Sequence, residues 1–129
     1  MERPKVLLVE DNILLRWSIK NCLDHEGYSV AAPGTVEEAL RTGMARTVDM
    51  LITDCELPGG HDGFEVLAGL RQIYPEMLAV LISADADEEL TVRALRAGFS
   101  RVIQKPFQEG EVLAALRGLQ KENGAEVPA

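Results

Sequence analysis

The sequence predicts an α/β fold in which a parallel sheet carries helices on both faces. Short apolar runs alternate with helical patterns along the whole chain. The run at residues 6–9 is apolar throughout, which is typical of a strand buried on both faces. Capping and turn signals also mark where the helices begin and end. Five β-α units at this spacing indicate one sheet of five parallel strands.

The five strands are expected at residues 6–9, 28–32, 50–53, 78–82 and 101–104. The first run ends abruptly at Glu10 and Asp11, and the third ends at Asp54. The fourth and fifth end at Ser83 and at Lys105. Four of the five predicted strands are therefore followed at once by a polar side chain.

Helices are expected between and after these strands, near 12–26, from Thr35, from Asp62 to about 74, from Asp85 or Asp87 to Gly98, and at roughly 109–121. Thr35 and Asp62 are each followed three residues later by glutamate, which is the capping-box pattern of a helix start. Gly27 and Gly98 are residues that commonly end helices.

Length and composition favour a single domain. The chain has 129 residues, of which 47% are hydrophobic, enough for a full core. We expect this domain to occupy residues 1–121, with a polar tail or the start of a linker at 122–129. The formal net charge of -8 disfavours direct binding to nucleic acid or to anionic membranes.

Cysteine and apolar patterning suggest a cytoplasmic protein. Cys22 and Cys55 lack the spacing of zinc or CxxC sites, which favours a reducing compartment. No apolar run approaches the roughly 18 residues that a membrane span needs. The first residues also lack a signal-peptide pattern.

The polar strand ends predict a shared site. The carboxyl ends of parallel strands lie on one edge of a sheet, where ligands of open α/β folds bind. Glu10, Asp11 and Asp54 would repel one another there unless a cation such as Mg²⁺ neutralised them. The Lys105 ammonium and the Ser83 hydroxyl suit phosphoryl oxygens. A carboxylate can then act as the nucleophile and form an acyl phosphate.

Six short motifs stand in order at these strand ends: VLLVEDN at 6–12, LITD at 51–54 with Pro58 four residues on, DG at 62–63, LISA at 81–84, AGF at 97–99 and KPF at 105–107. With them the sequence resembles the receiver domain of bacterial response regulators over about residues 4–121. The resemblance implies a flavodoxin-like, doubly wound five-stranded sheet in the order 2-1-3-4-5. It also implies a cis bond before Pro106.

The resemblance implies a role for each site residue. Asp54 would be the phosphoacceptor, with Ser83 as the switch hydroxyl and Lys105 as the phosphoryl-binding lysine. Mg²⁺ would be bound directly by Asp11 and Asp54. Glu10 would bind the ion through a water molecule. The backbone carbonyl of Glu56 would be a further ligand.

The same resemblance implies phosphorelay signalling rather than enzymatic turnover. The phosphoryl donor would be a sensor histidine kinase or a phosphotransfer protein. An output domain, a separate target protein and a homodimer stay open as further partners. The expected readout surface is the fourth helix, fifth strand and fifth helix.

The chain departs from the family pattern at two places. The loop after Asp54 is one residue longer than usual, and Gly59 and Gly60 are expected to absorb the insertion. Val102 stands where the family often has Tyr or Phe, so aromatic coupling to the switch hydroxyl is not expected. Our hypothesis is that Glu56 and Asp85, each two residues beyond a site residue, shorten the lifetime of the acyl phosphate.

Two other functions fit parts of the pattern. Haloacid-dehalogenase-type phosphohydrolases also use an aspartate nucleophile with Ser or Thr, Lys and Mg²⁺. They usually carry Asp-x-Asp on an early strand, whereas this chain has Asp54-Cys55-Glu56 on its third. A phosphorylation-independent interaction module is the other alternative, and the complete set of acids, serine and lysine argues against it.

Two further features have competing interpretations. Ile13, Leu14 and Trp17 lie off the core stripe of the first helix. They either lean onto neighbouring loops or form a docking patch for the phosphoryl donor. Cys55, beside Asp54, suggests a redox role, but we prefer to read it as a small hydrophobic residue.

Overall fold

The computed structural model describes residues 2–128. Five strands form the main sheet: β1 (Lys5–Val9), β2 (Ser29–Ala31), β3 (Met50–Asp54), β4 (Leu78–Ser83) and β5 (Arg101–Gln104). Five helices alternate with them: α1 (Ile13–His25), α2 (Val36–Ala45), α3 (Gly63–Arg71), α4 (Glu88–Ala97) and α5 (Glu109–Glu122).

The sheet is parallel throughout, in the order β2-β1-β3-β4-β5. This confirms the predicted doubly wound sheet and its strand order. Val9 pairs with Thr53, and Asp54 pairs with Ile82. This register brings the carboxyl ends of β1, β3 and β4 to one edge.

Two hydrophobic cores cover the two faces of the sheet, because side chains of each strand alternate between them. Leu7, Leu51 and Leu81 face the core that α2, α3 and α4 complete. Leu8, Ile52 and Ile82 face the core that α1 and α5 complete. The three central strands, β1, β3 and β4, are therefore covered on both sides, which explains why their buried residues include unbroken apolar runs.

Side-chain caps fix where the helices start. Asn12, Thr35, Asp62 and Asp87 each accept a hydrogen bond from the backbone N–H three residues on. At Asp62 the capping box is complete, because the Glu65 carboxylate also accepts from the Asp62 N–H. Asp87, rather than Asp85, caps α4, and Gly98 ends that helix with a φ of 113°.

The loop between β3 and α3 contains structure that the sequence did not predict. Glu56–Leu57 pairs antiparallel with His61–Asp62, across a short 3-10 turn at Pro58–Gly60. Gly59 and Gly60 both have φ of 76°, a conformation that residues with a Cβ rarely adopt. These two glycines are where the loop reverses direction.

Candidate functional site

A cavity of about 390 Å³ opens at the carboxyl edge of the sheet. Its lining includes the predicted residues Asp11, Asp54, Glu56, Ser83 and Lys105, together with Asp85 and Cys55. We call it the carboxyl-end cavity. A larger hollow of about 900 Å³ lies at the opposite edge of the sheet, but the predicted site residues are not in its lining.

Three carboxylates form an acidic cluster at this edge. Glu10, Asp11 and Asp54 each offer an oxygen, and these oxygens lie within 4.8 Å of one another. Asp54 is buried and Asp11 is exposed, so the cluster spans the wall of the cavity. Hard oxygen ligands at this separation, with solvent access for retained waters, fit the coordination that Mg²⁺ prefers.

Glu10 is the deepest member of the cluster and is fully buried. Its Oε2 accepts a hydrogen bond of 3.1 Å from the Asn12 N–H. Its Oε1 has no hydrogen-bond partner within residues 2–128, although the Lys105 ammonium lies 3.1 Å away in an ion pair. Burial raises the pKa of Glu10, and the nearby charge of Asp54 raises it further. The hydrogen bond from the Asn12 N–H and the charge of Lys105 lower it, but by less. Among the described residues this buried oxygen has no hydrogen-bond donor besides its ion-pair partner, and it is the observation that fits a nearby cation or a bound water.

Lys105 connects the cluster to the fifth strand. Its Nζ lies 3.0 Å from Asp54 Oδ2 and 3.1 Å from Glu10 Oε1. Burial by itself would lower the pKa of Lys105, but the close contacts of its Nζ with the Asp54 and Glu10 carboxylates, and the charges of those carboxylates, raise it overall. The side chain is therefore held as an ammonium beside the Asp54 carboxylate. The Lys105–Pro106 peptide bond is cis.

Ser83 and the following loop form another wall. Ser83 is buried, and its Oγ accepts a 3.1 Å hydrogen bond from the Asp85 N–H. The hydroxyl hydrogen is left to donate elsewhere. Val102 occupies the position at which the family often has an aromatic residue. Its side chain is partly buried against the core that includes α4.

Close packing holds Asp54 in place from the side of α3. The Gly63 N–H donates to the Cys55 carbonyl at 2.9 Å. A Cβ on Gly63 would lie 2.5 Å from the Asp54 carbonyl oxygen and 2.9 Å from Thr53 Cγ2. The Asp-Gly motif at 62–63 therefore combines a helix cap with the close approach of α3 to the end of β3.

Two contacts at the site involve residues that the sequence did not single out. The Arg16 guanidinium lies 3.4 Å from the Glu10 carbonyl oxygen and rests against Gly34. The Gln104 side chain makes three hydrogen bonds to backbone groups at residues 84, 86 and 105. Gln104 could have been recognised in the sequence as a site residue by its position at a strand end, immediately before Lys105.

The α1 patch, formed by Ile13, Leu14 and Trp17, lies next to this edge because α1 begins just after Asp11 and Asn12. These side chains are 69%, 79% and 68% exposed. They do not lean onto neighbouring loops.

Within the described part of the chain, no helix is both long and apolar enough to cross a bilayer.

Comparisons with known proteins point to one family. The family model described as "Response regulator receiver domain" matches residues 6–117. The KDP operon transcriptional regulatory protein KdpE of Escherichia coli K12 is 33% identical over 124 residues, which cover 95% of this chain and 54% of that protein. The chain thus spans about half the length of the curated relatives it matches.

Solved structures agree with this match. The signal receiver domain of an HD domain-containing protein from Pseudomonas fluorescens Pf-5 has a TM-score of 0.85 at 29% identity, covering 97% of this chain and 100% of that one. A CheY-like response regulator receiver domain protein from Methanospirillum hungatei JF-1 has a TM-score of 0.86 at 26% identity, covering 94% and 96%.

Proposed function

Because this chain belongs to the response regulator receiver family of two-component systems, we propose that it accepts a phosphoryl group on Asp54 and thereby acts in phosphorelay signalling. The observation that carries the proposal is the position of the Asp54 carboxylate. It lines the carboxyl-end cavity, belongs to the acidic cluster and lies 3.0 Å from the Lys105 ammonium. The proposed nucleophile, the proposed cation site and the proposed phosphoryl-binding ammonium would therefore meet at one point.

The proposed donor is the phosphohistidine of a sensor kinase or of a phosphotransfer protein. An Asp54 carboxylate oxygen attacks the phosphorus, so that a P–O bond forms as the donor's P–N bond breaks. The released electron pair and a proton stay with the donor imidazole. The Lys105 ammonium turns from the carboxylate toward a phosphoryl oxygen, and the Ser83 hydroxyl donates to another.

Mg²⁺ is the proposed cofactor, and it would neutralise charge on the phosphoryl oxygens as they arrive. Asp11 and Asp54 would bind it directly, Glu56 through its backbone carbonyl and Glu10 through a water. The indirect role suits Glu10, because its side chain is fully buried. The role of Glu56 is supported by its place in the lining of the carboxyl-end cavity.

Intact-mass spectrometry after incubation with acetyl phosphate and Mg²⁺ tests the proposal. We expect one added phosphoryl group on the wild type and none on Asp54→Asn. Labelling that survives in Asp54→Asn would contradict the assignment of the acceptor. Steady hydrolysis of a phosphomonoester by the wild type would instead favour the phosphohydrolase alternative.

We further propose that Glu56 and Asp85 limit the lifetime of the acyl phosphate. Both line the cavity, where a carboxylate can hold an attacking water or oppose the added charge. Half-lives measured for Glu56→Ala and Asp85→Ala should exceed that of the wild type. Equal half-lives in all three proteins would refute this role.

The α1 patch is the proposed docking surface for the donor. Three large exposed apolar side chains beside the site form the kind of surface that proteins use for association. In Leu14→Ala and Trp17→Ala we expect transfer from a phosphorylated phosphotransfer protein to slow by about tenfold, which corresponds to the loss of about 1.4 kcal/mol at the interface. Labelling by acetyl phosphate should not change. Met44→Ala, which alters a 77% exposed residue on α2, is the matched control.

The proposed setting is the cytoplasm, where a sensor kinase would act on this domain. The signal would leave through α4, β5 and α5, because Ser83 and Lys105 lead into these elements. The reader would be an output domain, a separate target protein or a second copy of the chain. The net charge of -8 argues against direct nucleic-acid binding by these 129 residues.

A further inference from the structure

The pairing between β4 and β5 ends beside the proposed phosphoryl site. Ser83 pairs with Gln104, and the Lys105 N–H donates to the Ser83 carbonyl at 2.8 Å. Beyond Ser83 the chain leaves the sheet and runs through residues 84–87 to the start of α4. The backbone groups of this loop have no neighbouring strand to pair with and need other partners.

The side chain of Gln104 supplies those partners. Its Oε1 accepts from the Ala86 N–H at 2.8 Å, and its Nε2 donates to the Ala84 carbonyl at 2.6 Å. The same Nε2 donates to the Lys105 carbonyl at 2.7 Å. The amide orientation is unambiguous, because the reverse orientation would set oxygen against two carbonyls.

These bonds reach both groups that would contact a phosphoryl group. Between the two loop residues that Gln104 binds lies Asp85, whose N–H donates to Ser83 Oγ at 3.1 Å. That hydrogen bond orients the hydroxyl oxygen and leaves its hydrogen free to donate. On the other side, the bond to the Lys105 carbonyl fixes the backbone from which the ammonium extends.

We propose that Gln104 is a positioning residue, whose amide holds the loop after Ser83 and the backbone of Lys105 as one unit beside Asp54. The inference rests on the proposed phosphoacceptor function. It gives this chain a polar connection between β5 and the loop after β4, at a site where Val102 provides no aromatic one.

Gln104→Met is the informative variant, because methionine is similar in length and lacks the amide. Gln72→Met is the matched control at an exposed glutamine that follows α3. Hydrogen exchange at Ala86, measured without Mg²⁺ or phosphoryl donor, should become about fivefold faster in Gln104→Met, the effect of one net hydrogen bond. It should be unchanged in Gln72→Met.

The second measurement is the affinity for beryllofluoride, a phosphoryl analogue, in the presence of Mg²⁺. Fluorine NMR should show binding to the wild type that is about fivefold weaker in Gln104→Met. A role confined to stability would lower the melting temperature and leave this affinity unchanged. Gln104→Glu keeps the acceptor for Ala86 but sets a carboxylate against two carbonyls, so it should also weaken binding.

The outcomes separate the two proposals. Equal beryllofluoride affinity in wild type and Gln104→Met would overturn the role of Gln104 and leave the phosphoacceptor function intact. An unchanged exchange rate at Ala86 would likewise overturn the role of Gln104. Failure of the wild type itself to bind beryllofluoride would overturn the phosphoacceptor function, and the role of Gln104 with it.

Discussion

Replacing Gly63 with alanine tests how closely α3 approaches the acceptor strand. The added Cβ would lie 2.5 Å from the Asp54 carbonyl oxygen, 2.9 Å from Thr53 Cγ2 and 3.1 Å from Leu81 Cδ1. The first obstacle is backbone at the end of the central strand β3, and the second is a buried β-branched side chain. Neither can turn away, so the first turn of α3 must shift.

The expected cost follows from this geometry. Overpacking a tightly packed site costs about 1–3 kcal/mol, and here we expect the upper part of that range. Better helix propensity returns less than about 1 kcal/mol. The net loss of about 2 kcal/mol should lower the melting temperature by roughly 5–10 °C for a domain of this size.

Urea denaturation followed by circular dichroism measures the change in the free energy of unfolding. Gly118→Ala is the matched control, because no heavy atom of the described chain lies within 4 Å of its added Cβ outside the helix itself. That variant should gain about 0.5–1 kcal/mol. If Gly63→Ala proves as stable as Gly118→Ala, the close contact between α3 and β3 does not exist as described.

Three further groups, Tyr28, Cys55 and Glu10, each give an expected outcome. Tyr28→Phe should cost about 1–2 kcal/mol in urea denaturation, because it removes a 2.5 Å hydrogen bond and leaves buried Gln120 Oε1 without that donor. Burial raises the pKa of Tyr28. The wild type should therefore keep the stability that the Tyr28 hydroxyl contributes below pH 10 and lose it as pH rises through the raised pKa. Tyr28→Phe should not show this loss of stability at alkaline pH. Burial and neighbouring carboxylates also raise the pKa of Cys55. Iodoacetamide should therefore label Cys55 more slowly than it labels free cysteine at neutral pH. Labelling as fast as that of free cysteine would favour the redox role. In buffer with EDTA, Glu10→Gln should stabilise the protein by about 1 kcal/mol, because the fold disfavours the buried charge; a lower melting temperature would contradict this.

The five strands and the gathering of polar residues could be predicted because both depend on local pattern, whereas the order of the strands was predicted from the family resemblance. A strand covered on both faces needs an unbroken apolar run, and parallel strands bring their carboxyl ends to one edge. These two rules were sufficient to place Asp11, Asp54, Ser83 and Lys105 around one cavity.

What could not be predicted depends on the path of the chain in three dimensions. Glu10 and Asp11 are adjacent acids just beyond the end of β1 at Val9, yet one is fully buried and the other exposed. The antiparallel pair that begins at Glu56 depends on two glycines with positive φ. The contacts of Gln104 depend on where the loop 84–87 passes, and no periodicity of the sequence encodes that path.

The position of Lys105 between two carboxylates has a consequence for the order in which the proposed ligands bind. One ammonium faces three acids, so negative charge remains in surplus even when Glu10 carries its proton. An approaching donor, itself anionic, meets repulsion until a divalent ion has settled at the edge of the sheet. Loading would then proceed with the ion first and the donor second. A shortage of free magnesium would then slow phosphorylation of the domain without any change in the protein itself.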